Sequence, residues 1–250
     1  MLFSLTSYYS KLSLSKNMAN RFMADYSPPR IKSAIAVGLA AAFMANLSFA
    51  SPTQPIAGKD YVLLATPQKS SAQGGKVEVL QFILFHCKHC AALDPLTKQW
   101  AQLNGQLANV KTLHATFRGP KDPEVRLFHT LQAMNELNTW TPKVFLATQQ
   151  QGVRMTADNE VLEWVKQSGL DGINFQRAWN STSVVETTAR TPELVKAYDL
   201  TYAPAFIVDG KFMTSPALIK KNNPEIPMPL INQSLFKVLD FLVQNSKDAK

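Results

Sequence analysis

A chain of 250 residues that is 46% apolar and 18% charged can bury a sizeable core, which excludes bulk disorder. Half of the formal net charge of +8 sits near the front, where Lys11, Lys16, Arg21, Arg30 and Lys32 face Asp25 alone. The rest is spread thinly, and no run of Lys and Arg marks a nucleic-acid surface.

Arg30 and Lys32 precede an apolar, Ala-rich stretch from Ser33 to Phe49, and Ser48-Phe49-Ala50 supplies small residues for cleavage after Ala50. Residues 1–50 are therefore expected to be a signal peptide. It is a long one, with Met18 and Met23 as alternative starts. Retention as an N-terminal membrane tether is the competing reading, but the apolar run is short for a span and Asn46 interrupts it. Residues 51–250 remain as the folded domain.

Residues 51–58 read as a flexible lead-in, and Tyr61 to Ala65 as a short edge strand. Val77 to Phe85 is a near-continuous apolar run, the pattern of a strand buried on both faces. Leu93, Leu96, Trp100, Leu103 and Leu107 recur at helical spacing and predict a helix over 91–107, followed by a strand from Val110 to Phe117. From Pro123 to about Ala197 the pattern is helical. One apolar stripe runs from Val125 to Leu137, a second segment covers Thr156 to Ser168, and a third starts at Phe175. Thr191-Pro192-Glu193 predicts a further helix start, with Thr191 as cap and an end near Tyr198. Residues 202–214 read as a hairpin turning at Asp209-Gly210. A Pro-rich loop from Asn222 to Pro229 then leads to a closing helix from Asn232 to Gln244. Strand, helix, strand, helical block, hairpin and helix give an α/β fold with a helical insertion.

The chain has two cysteines, Cys87 and Cys90. A bridge closing so short a loop gains little from chain entropy, so the pair is not a structural staple. A buried strand that ends at Cys87-Lys88-His89-Cys90 and opens a helix suits dithiol chemistry. At the helix N-terminus, unpaired N–H groups favour a Cys87 thiolate, and Lys88 and His89 add cationic neighbours. Cys87 is thus the expected attacking sulfur and Cys90, one turn on, the resolving one. The other reading is a copper- or zinc-binding delivery protein using both cysteines with His86 or His89, although four ligands within five residues cannot readily surround one ion. No metal is assigned. His114 and His129 are read as structural. Pro204, after Ala203, opens the first strand of the hairpin, where proline is tolerated.

Three segments, in this order, resemble the DsbA family of periplasmic disulfide oxidoreductases: FILFHCKHC (82–90), Ala178-Trp179-Asn180-Ser181, and YAPAFIVDGKF (202–212). The resemblance implies a thioredoxin-like fold with a helical domain inserted at about 120–190 and a cis peptide bond before Pro204. It also implies a site of Cys87, Cys90, His89 and Lys88, with Ala203 and Pro204 binding substrate. Such a protein would be periplasmic and donate the Cys87–Cys90 disulfide to unfolded or folding exported polypeptides with free cysteines. A membrane reoxidase of the DsbB type would re-form the bond, and no cofactor beyond the redox-active disulfide would be needed. A thiol reductase of similar fold is the nearer alternative.

The sequence departs from that family at Lys88, where proline is common, and at Ala203, where Val or Thr is commoner. Gln81 and Thr112 stand where the family often carries a buried acid and its lysine partner. Losing both charges together leaves no buried ion unpaired, but it removes a side-chain proton relay for Cys90.

Overall fold

The computed structural model describes residues 54–248; the proposed leader lies outside them. Its organising strand is β2 (Val77–Ile83), buried at every position. β2 pairs in parallel with β3 (Ala108–His114) and antiparallel with β4 (Ala205–Val208). β4 pairs antiparallel with β5 (Phe212–Thr214), and the two-residue β1 (Val62–Leu63) closes the far edge against β5. The sheet order is β1-β5-β4-β2-β3.

Helices cover both faces of this sheet. Val77 and Val79 pack with Trp100 of α1 (Lys88–Leu103) and with Leu235, Val238 and Leu242 of α8 (Met228–Asp248). Leu80 and Phe82, on the opposite face, pack with Val195, Tyr198 and Leu200. Burial on both sides is why the strand reads as a near-continuous apolar run, broken only by Glu78 and Gln81. The hairpin turns as expected: Asp209 and Gly210 both take positive φ, 50° and 66°, and Lys211 N–H donates to Val208 O at 3.0 Å. Gly210 is needed there on a second count, because a Cβ would sit 2.0 Å from Gln68 O.

Five helices fill the interval between β3 and β4: α2 (Pro123–Ala133), α3 (Leu137–Gln150), α4 (Asp158–Ser168), α5 (Gly172–Trp179) and α6 (Thr182–Ala197). Their core (Phe128, Trp140, Phe145, Trp164, Phe175, Trp179) is continuous with Phe85 and Cys90, so the insertion packs directly behind the cysteine turn. The Ala178–Ser181 segment joins α5 to α6. Asn180 closes the first helix, and Ser181 Oγ accepts from Val184 N–H to cap the second. The Arg126 guanidinium lies 4.3 Å from the Trp179 ring centroid and donates to Trp179 O, locking the junction against α2.

Several sequence expectations need correction. Thr191 is not a cap: α6 starts nine residues earlier, with Val184, Thr188, Thr191 and Val195 as its buried stripe and Pro192 inside it. The Thr191 hydroxyl donates back to Thr187 O, as buried mid-helix threonines do. Leu137 belongs not to the α2 stripe but to a separate helix, α3. In α1 the buried stripe is Cys90, Leu93, Asp94, Thr97 and Trp100, whereas Leu96 and Leu103 are exposed and Leu107 lies beyond the end. β3 stops at His114 instead of Phe117. A short helix, α7 (Pro216–Asn222), capped by Ser215, follows β5, and α8 begins inside the expected Pro-rich loop.

Candidate active site

The site forms where β2 ends. Phe85 is clamped from two sides. Its N–H donates to His114 Nε2 on β3 at 3.1 Å. Its carbonyl accepts from Thr148 Oγ1 at 2.7 Å and Gln149 Nε2 at 3.0 Å, both on α3. The chain then turns through His86, with Cys87 N–H donating to Leu84 O, and enters α1.

Cys87 is the N-cap residue of α1, with φ −90° and ψ 111°. Its Sγ does what a serine or aspartate oxygen does at other helix starts: it accepts the Cys90 N–H, at 3.2 Å. That geometry favours a thiolate. Hydrogen bonding from the Cys90 thiol, opposed by partial burial, and then the backbone N–H groups of Cys90 and His89 bring Cys87 down from the ordinary thiol range to about 6. Cys90 is fully buried, and burial, then the hydrogen bond and charge of Cys87, push its thiol far up. The two sulfurs are thus strongly unequal, one half-buried and acidic, the other dry and reluctant to ionise.

Lys88 and His89 are exposed, so what His89 brings to the sulfur is its backbone N–H. Across the turn, Cys87 Sγ lies 3.6 Å from Ala203 O, the thiol donating when protonated. The Ala203–Pro204 bond is cis, with Ala203 half-buried and Pro204 buried just before β4. The structure thus brings Cys87, Cys90, Ala203 and Pro204 together, with Lys88 and His89 on the exposed side of the turn. Gln81 and Thr112 are register partners on β2 and β3, and Thr112 Oγ1 donates to Gln81 Oε1 at 3.2 Å. Gln81 Nε2 in turn donates to Thr97 Oγ1 of α1 at 3.3 Å. Among the described residues, no group of three His, Cys, Asp or Glu side chains is placed to share one metal ion.

One cluster escaped the sequence. His86 Nδ1 lies 2.8 Å from the fully buried Glu124 carboxylate, on the first turn of α2. Arg118 Nη2 lies 2.8 Å from the other oxygen, and His114 Nε2 is 3.6 Å away. Burial pushes Glu124 up, but contacts with His114 and His86 outweigh it and hold the carboxyl well below the usual carboxylate range. His86 is raised in turn, chiefly by its hydrogen bond to Glu124. The sequence hides this because Asp122-Pro123-Glu124 reads as an ordinary helix start. Only tertiary packing buries the glutamate.

A thioredoxin fold that presents an acidic N-cap cysteine beside a cis-proline loop defines a dithiol oxidoreductase. A family model described as a DSBA-like thioredoxin domain matches residues 122–220. The thiol:disulfide interchange protein DsbA of Burkholderia cepacia is 32% identical over 216 residues, which is 86% of this chain and 95% of that protein. The DsbA of Bordetella pertussis is 35% identical over 179 residues, 72% of this chain and 85% of that one. The crystal structure of Pseudomonas aeruginosa DsbA superposes with a TM-score of 0.68 at 24% identity, covering 78% of this chain and 96% of that chain. The chain belongs to the DsbA family, and it is a protein disulfide oxidoreductase.

Proposed function

We propose that this protein works in the oxidising direction, donating the Cys87–Cys90 disulfide to newly exported polypeptides. A substrate thiolate attacks Cys87 Sγ, the Cys87–Cys90 bond breaks, and Cys90 takes the electron pair and a proton. A second substrate thiolate then attacks the substrate sulfur of the mixed disulfide, and Cys87 leaves as a thiolate. The substrate has lost two electrons and the protein holds a dithiol. A membrane partner of the DsbB type then takes those electrons and re-forms the bond.

The observation that carries this reading is the acidic Cys87 at the head of α1. A sulfur whose charge is stabilised only after the bridge opens makes the reduced state the favoured one, and so makes the bridge a strong oxidant. Ala203 and Pro204, beside Cys87, are the proposed contact for an extended substrate segment. Lys88 and His89 form the outer rim of the turn and meet substrate there. The dithiol is the only redox group the chemistry requires. The basic, Ala-rich front of the sequence supports residues 1–50 as an export leader and the periplasm as the place of action. No helix of the described residues is long and apolar enough to cross a membrane.

Equilibration with reduced and oxidised glutathione tests the direction. The expected potential is more oxidising than about −200 mV; a value near the roughly −270 mV of a reducing thioredoxin would make the protein a reductase.

A further inference from the structure

The cationic candidates in the sequence lay between the cysteines, but the structure places a better-anchored one before them. His86 immediately precedes Cys87. Its Nδ1 is held at 2.8 and 3.0 Å from the two oxygens of Glu124, while half of its side-chain surface stays open to solvent. Glu124 itself has no exposed surface, so its charge cannot turn to water and must be answered by the groups around it. Arg118 answers it permanently at 2.8 Å. The Arg118 guanidinium also approaches His86 Nδ1 to 3.1 Å. Arg118 can only donate and would pair with a bare Nδ1, but the carboxylate can only accept, and its contact with Nδ1 is the shorter at 2.8 Å. Nδ1 must therefore carry the hydrogen and donate it to Glu124.

We propose that His86 is an electrostatic partner of the Cys87 thiolate and that Glu124, from the inserted helical region, is the positioning residue that keeps it in place and charged. This deepens the reading of Cys87 as the exchanged sulfur and rests on it. The groups facing His86 are Glu124 from α2, Asp122 and Arg118 from the segment before it, and Arg154 across a shared cavity of about 560 Å³. His114 stands behind Glu124 on β3, and Cys87 is the neighbour in sequence. Glu124 and Asp122 favour a charged imidazole and Arg118 opposes it, with Glu124 the strongest of the three. The imidazolium in turn favours the thiolate, after the Cys90 thiol and the backbone N–H groups of Cys90 and His89. The insertion thus contributes charge control to the thioredoxin core as well as a cover over it.

Such coupling is reciprocal. If His86 stabilises the thiolate, the thiolate stabilises the imidazolium, and closing the disulfide removes that support. NMR titration of the His86 ring in the unsubstituted protein should therefore give a higher midpoint in the dithiol form than in the disulfide form. A structural histidine would titrate alike in both. In parallel, His86→Gln should lower the thiolate-to-thiol ratio of Cys87 at a given pH by about two- to threefold. The glutathione equilibrium should move by a similar factor toward a less oxidising bridge. Identical His86 titrations in both redox states, or a Cys87 titration untouched by His86→Gln, would overturn the proposal while leaving the disulfide chemistry standing. An ordinary, non-acidic Cys87 in the unsubstituted protein would instead sink the reading beneath it. The NMR comparison needs no substitution, so a variant that fails to fold does not block the decision.

Discussion

Two polar clusters flank the cysteine turn, and they handle burial in opposite ways. Below α1, Gln81, Thr97 and Thr112 make a chain of neutral hydrogen bonds between two strands and a helix. Beside the turn, Glu124 is as deeply buried but fully charged, held by Arg118 and by a half-exposed His86. The difference follows from access to water. Arg118 and His86 reach from the buried carboxylate to the surface, so the cluster as a whole stays solvated at one end. The Gln81 amide is hydrogen-bonded to two hydroxyls, and a charge there would find no cation in either partner. No charge is needed at this spot, because amide and hydroxyl satisfy each other across the same register pair.

The largest expected effect comes from breaking the neutral cluster. Gln81→Glu places an acid among hydroxyls and should destabilise the fold by about 3–5 kcal/mol near neutral pH, read from denaturant unfolding. The introduced carboxyl would have its folded-state value raised, so the loss should grow as the pH climbs above the ordinary carboxyl range and vanish below it. Adding Thr112→Lys should recover much of the loss.

The matching change in the charged cluster, Glu124→Gln, should cost less, about 1–3 kcal/mol, because Arg118 and His86 can turn to water. Its pH dependence runs the other way. The Glu124 value is depressed in the folded state, so its contribution is present above the ordinary carboxyl range and fades as the pH falls below it. The His86 value is raised, so its part is present below the ordinary imidazole range and fades as the pH rises past the raised value. Unfolding curves of both proteins across this range should show the largest gap between those limits. A gap that widened as the pH fell below the ordinary carboxyl range would contradict the charge assignment.

What could be read from the sequence divides along the same line. β2 announced itself because both its faces are covered, and Asp209-Gly210 because both turn residues take positive φ. Cys87 was legible because a helix start acts locally on the sulfur. Thr191-Pro192-Glu193 misled: the local cap pattern was overridden by Ser181 upstream and by a buried stripe through Thr191. Helix α3 was missed because it has no side-chain cap and carries Pro142; it stands on Trp140, Val144 and Phe145 packed into the insertion core. The His86–Glu124 pair spans 38 positions, and nothing local marks a glutamate that tertiary packing will bury.

The inequality of the two sulfurs is the property on which everything else rests, and thiolate absorbance of the reduced protein measures it directly. Titrated from acid to alkaline pH, the protein should show one thiolate forming with a midpoint near 6, absent in Cys87→Ser and retained in Cys90→Ser, while the second thiol stays protonated throughout. Two thiols ionising together in the ordinary range, about 8.5, would contradict it.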